Sequence, residues 1–94
     1  MDIFVAKFVG ASGKEKINVE KFDAEDKGGK FVARRNGIKR VFLSDEFGKP
    51  NMSQGVGVTS ADAVRALRDG AIVEANRLDA EVSRLIKLAS VPVA

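Results

Sequence analysis

Asn36-Gly37 separates two runs of apolar and basic residues in the stretch KFVARRNGIKRVFL, Lys30 to Leu43. A two-residue type I′ turn needs positive φ at both central positions, and Asn-Gly accepts that more readily than other pairs. The turn fixes the strand register. It predicts Arg35 opposite Ile38, Arg34 opposite Lys39, Ala33 opposite Arg40, Val32 opposite Val41 and Phe31 opposite Phe42. Side chains alternate across a strand. One face therefore carries Phe31, Ala33, Arg35, Ile38, Arg40 and Phe42, and the other carries Val32, Arg34, Lys39, Val41 and Leu43.

The hairpin is also the most basic part of the chain. Lys27 to Ser44 holds six cations and no carboxylate. Arg34 opposite Lys39 is a like-charge pair, which weakens a hairpin slightly. A polyanion would relieve it, because Lys and Arg that neutralise phosphates release counterions. The alternative is a solvated tip whose cations blunt a sheet edge.

The flanking sequence supplies further strands. Ile3 to Val9 is rich in β-branched and aromatic residues. Both of its faces are largely apolar, which predicts a central or doubly covered strand. Lys16 to Phe22 alternates and reads as a second strand, and Asp23, Glu25 and Asp26 then form an acidic loop. A short fifth strand is expected around Gly55–Val58, weakened by its glycines.

Thr59 or Ser60 is a good N-cap, with Asp62 completing an approximate capping box. Val64, Leu67, Ala71, Ala75, Leu78, Val82, Leu85 and Ala89 then recur at spacings of three and four, the pattern of one apolar helical stripe. The reading is a single domain over 1–94. An antiparallel α+β sheet of four to five strands (a meander) occupies 1–58, one long helix occupies 59–90, and 91–94 is a tail. A helix of about 29 residues is about 43 Å long, and a typical strand is only about 17–20 Å. The sheet cannot cover the whole stripe. A homodimer through Leu78, Val82, Leu85 and Leu88 is the expected remedy; a helix broken at Gly70 and folded back is the alternative.

Composition narrows the chemistry. The formal net charge is +3; residues 1–50 hold eleven Lys+Arg against eight Asp+Glu, and 51–94 hold five of each. The excess therefore lies in the strand-rich half. The chain has no Cys and no His, so it lacks disulfides, thiolates and the side chain best suited to proton transfer near neutral pH. The reading is no enzyme, no cofactor and no metal site. Gly10–Gly13 followed by Lys14 lacks the spacing and the Ser or Thr of a phosphate loop, and the acidic stretch lacks the EF-hand pattern. No signal peptide and no membrane-length apolar run are read, which makes the cytoplasm the expected location.

The segments KINVEKF, GKFVARR and GVGVTSADAVRAL give a layout that resembles the Whirly and PUR-type fold, in which a curved sheet leads through a short strand into a capped helix. The resemblance spans about two thirds of the chain. It implies a dimer that binds single-stranded DNA or RNA on its sheets through cations and stacked aromatics.

Two functions follow as expectations. The first is a non-enzymatic nucleic-acid-binding protein that takes single-stranded DNA or RNA on its basic β-hairpin, through Lys30, Arg34, Arg35, Lys39 and Arg40 with Phe31 and Phe42 as stacking platforms. If Phe31 and Phe42 are core instead, binding would fall to Arg34 and Lys39 and be electrostatic and unspecific. The second is a small protein-binding adaptor, inhibitor or virion component whose hairpin docks on an acidic or nucleic-acid-handling partner.

Overall fold

The computed structural model describes residues 1–78 and 81–94. Its elements are β1 (Asp2–Val9), β2 (Lys16–Asp26), β3 (Lys30–Arg35), β4 (Ile38–Leu43), a 3-10 turn (Ser44–Glu46), β5 (Gly55–Gly57), α1 (Ser60–Arg77) and α2 (Val82–Ala89). The strand order is β4-β3-β2-β1-β5, and every neighbouring pair is antiparallel. The first four strands form a meander, and β5 returns to the far edge of β1.

The turn behaves as its residues require. Asn36 has φ 51° and Gly37 has φ 77°, and the β3–β4 register is the expected one, from Arg35↔Ile38 to Lys30↔Leu43.

The sheet curls. Phe47, just past β4, bridges to Val56 in β5, and the Gly48 N–H donates to the Val56 carbonyl at 2.8 Å. Curling gives β1 two buried faces, as its composition predicts. Ile3 and Val5 lie inside the curl with Phe22, Ala24, Ala33, Phe42 and Val56. On the other face Ala6 packs with Ile17, Val64, Leu67 and Ala71, with Phe4 and Phe8 at the margin.

β2 runs further than expected. Asp23, Glu25 and Asp26 belong to the strand and not to a loop. Phe22 and Ala24 are buried inside the curl. Their burial carries the backbone onward as strand, and alternation leaves Asp23 and Glu25 facing water.

The C-terminal part departs more from expectation. Thr59 caps α1, its Oγ1 accepting from the Asp62 N–H at 3.1 Å. However, α1 ends at Arg77, and Leu78 has extended backbone, with φ −120° and ψ 97°. The single long helix is thus two helices. Asp79 and Ala80, inside the expected helix, lie outside the described residues. The helix is interrupted near Leu78 and not at Gly70.

The physical reason is burial. α2 packs against α1, and Leu85 and Leu88 join the core with Leu67 and Ala71. Each such side chain contributes about 1.5–3 kcal/mol relative to exposure, which a straight helix reaching beyond the sheet would forgo. The tail is also tied down. The Ile17 N–H donates to Pro92 O at 3.1 Å, the Ala94 N–H donates to Ile17 O at 2.9 Å, and Arg68 Nη2 donates to Val91 O at 2.9 Å. Of the four residues expected to pair two copies, Leu85 and Leu88 are core of their own chain, Val82 is half-buried and Leu78 is exposed. Because α2 folds back onto α1, helix length no longer calls for a second copy.

Candidate functional site

The hairpin turns its two faces to different tasks. On the inner face Phe42 is buried inside the curl, and Phe31 is half-buried with its ring edge-on to Phe47, centroids 5.1 Å apart. Phe22 comes in from β2, its centroid 5.7 Å from that of Phe42.

The two inner-face arginines close this cluster. The Arg40 guanidinium lies 5.1 Å from the ring centroids of both Phe22 and Phe42, and that of Arg35 lies 5.5 Å from Phe22. Arg40 Nη2 donates to Gln54 Oε1 at 3.1 Å, and Arg35 Nη1 donates to Glu20 Oε2 at 3.0 Å. Arg35 and Arg40 therefore spend their cations on the protein's own rings and side chains. All six phenylalanines are buried or half-buried, and the chain has no Trp or Tyr, so no exposed aromatic offers a stacking platform. The expected stacking residues Phe31 and Phe42 are structural.

The outer face is open. Lys30, Arg34 and Lys39 are exposed and make no ion pair among the described residues. Val41 is 46% exposed and Leu43 is 43% exposed, so β4 shows two apolar side chains beside Lys39. Asp23, Glu25, Lys27, Val32, Arg34 and Lys39 line one shallow concavity on this face. The Glu25 carboxyl is held below its ordinary pKa by the Lys27 ammonium, which binds it at 3.0 Å, with a smaller contribution from the charge of Arg34. Arg34 thus has a carboxylate on its β2 side. Lys39, one strand further out, has none.

The alternation of the sequence puts Arg34 and Lys39 on one face, and the structure leaves both exposed there together with Lys30, which the sequence names for the site without a face. The sequence separates Arg35 and Arg40 from their role, because Phe22, Glu20 and Gln54 lie on other segments. Val41 and Leu43 alternate with Lys39 on the outer face, and that alternation is the sequence signal for the apolar part of the site, which the basic residues alone do not give. Among the described residues no group of three or more metal-ligating side chains occurs, and no helix is long and apolar enough to cross a membrane.

Comparison with known protein families, with curated proteins and with solved structures found no match for this chain. The resemblance to the Whirly and PUR-type layout rests on the quoted segments alone.

Proposed function

We propose that the chain is a protein-binding module that docks, through the outer face of β3–β4, on a partner carrying carboxylates beside apolar residues. One observation carries this reading: Val41 and Leu43 are exposed next to Lys39 on a strand that only β3 pairs. Apolar contact supplies affinity there, and the cations supply register and partner choice. The test is capture of partners from nuclease-treated extract by wild type and by Val41→Ser/Leu43→Ser. Retention by wild type and release by the double variant is the expected result. Loss of every partner on nuclease treatment would overturn it.

A second reading has its own observation. Lys30, Arg34 and Lys39 form no ion pair among the described residues, which suits contact with a nucleic-acid backbone. Such binding would be electrostatic and indifferent to sequence. Three phosphate contacts on a single strand give a log–log salt slope of about −2. Titrating a labelled oligonucleotide at several salt concentrations into wild type and Arg34→Ala/Lys39→Ala separates the readings, since only backbone binding gives a slope that the double variant flattens.

A further inference from the structure

The turn register decides where the backbone of β4 points. A two-residue turn makes Arg35 and Ile38 a hydrogen-bonded pair, and hydrogen-bonded and open pairs then alternate along an antiparallel ladder. Arg40 and Phe42 bond to β3 in the same phase, and the Ser44 N–H, donating to Gly29 O at 3.3 Å, extends it. The N–H and C=O of Lys39 and of Val41, and the N–H of Leu43, therefore point away from β3. β4 is the last strand in the sheet order, and among the described residues no backbone bond from another segment reaches these groups. The strand contains no proline, and no glycine or left-handed residue interrupts its extended backbone. Its side chains at the same positions are Lys39, Val41 and Leu43, all exposed.

Charge says what fits. Counted outward across the face, carboxylates on β2 come first, then Arg34, then Lys39. The like-charge pair Arg34/Lys39 is offset by Glu25 and Asp23 on its β2 side only. We infer that this edge accepts an extended segment of the partner as an added antiparallel strand, with an acidic residue opposite Lys39 and apolar residues opposite Val41 and Leu43. Read along the partner, the pattern is apolar, any, apolar, any, acidic. Main-chain bonds supply affinity in such strand addition, and alternate side chains supply specificity. A second copy of β4 paired about Val41 would set Leu43, not a carboxylate, opposite Lys39 and leave both lysines uncompensated, so it is the poorer occupant. The inference rests on the protein-binding reading and adds the geometry of docking.

The experiment uses a synthetic seven-residue peptide with valines at the two apolar positions, glutamate at the acidic one and threonine between them. Binding is followed by anisotropy and by amide shifts of the ¹⁵N-labelled full chain. The expected result is saturable binding with shifts centred on Lys39 to Leu43. Methylating the peptide amides that face β4 should weaken it at least about tenfold, the cost of a lost hydrogen bond or more. This arm leaves the protein untouched. Val41→Pro removes one outward N–H without touching the β3 ladder, as edge positions allow, and should weaken binding similarly. Lys39→Glu should reverse the preference, favouring a peptide with lysine at the acidic position. Binding that ignores amide methylation but is lost in Val41→Ser/Leu43→Ser overturns strand addition and keeps the protein-binding reading. No binding to any such peptide, with oligonucleotide binding intact, overturns both. A dimer in light scattering that Val41→Pro dissociates shows the edge taken by a second copy and also overturns the inference.

Discussion

Arg40 shows how a cation in a basic stretch can belong to the core. Its guanidinium covers two phenylalanine rings at 5.1 Å and donates to Gln54. A cation over an aromatic face is worth about 0.5–1 kcal/mol when exposed and about 2 when desolvated, and the methylene stem adds packing. Arg40→Ala should therefore cost about 1–2 kcal/mol, read from the urea midpoint. Arg34→Ala should stay within about 0.5 kcal/mol of wild type, since it faces Lys39 across the ladder, where like charges repel. Equal losses from the two would refute the division of the hairpin into a structural and an open face. The division was half legible in the sequence. Alternation put Arg35 and Arg40 beside Phe31 and Phe42, but Phe22 and Glu20 reach them only through the pairing of β2 with β3 and the curl of the sheet.

At the scale of elements, local chemistry was readable and tertiary choice was not. The Asn36-Gly37 turn, the β3–β4 register and the Thr59 cap follow from backbone preferences within a few residues, so the sequence states them directly. The extension of β2 through Asp23–Asp26 does not, because carboxylates discourage strand and only the burial of Ala24 overrides them. The helix interruption is hidden for another reason: the three-and-four spacing of Ala75, Leu78, Val82 and Leu85 runs unbroken across it. Gly70, where the alternative reading breaks the helix, is instead a site of close packing inside α1. A Cβ there would press into the backbone of Asn51 and Met52, in a segment held by the Asn51 N–H donating to Ala66 O at 3.1 Å. Propensity alone favours Gly70→Ala by about 1 kcal/mol; overpacking against backbone costs about 1–3 kcal/mol and more where nothing yields. The net expectation is a loss of about 1–2 kcal/mol in denaturant unfolding, whereas Asn76→Ala, exposed on the same helix, should gain a few tenths. A stabilised Gly70→Ala protein would mean that the 51–52 segment does not press on α1.

The whole molecule has two cores sharing two strands: β1 gives Ile3 and Val5 to the curl and Ala6 to the helices, and β2 gives Phe22 and Ala24 to the curl and Ile17 to the helices. The helical core is completed from the far end of the chain, by Leu85, Leu88 and Val91. That arrangement replaces a second copy as the cover for the C-terminal stripe, and it makes a concentration test decisive. Leu85 is 1% exposed and Leu78 is 43% exposed. If α2 closes its own chain, Leu85→Ala creates a cavity costing about 2–5 kcal/mol, and Leu78→Ala costs less than about 1. For a domain of this size about 1 kcal/mol moves Tm by 4–8 °C, so Leu85→Ala should lower Tm by at least about 8 °C. The drop should be the same at low and high protein concentration, because unfolding then involves one chain. A helix zipper between copies would give Leu78 and Leu85 comparable losses and a Tm that rises with concentration, since association stabilises by mass action. The first pattern would leave the edge of β4 and the outer face of the hairpin as the surface through which this fold meets other molecules.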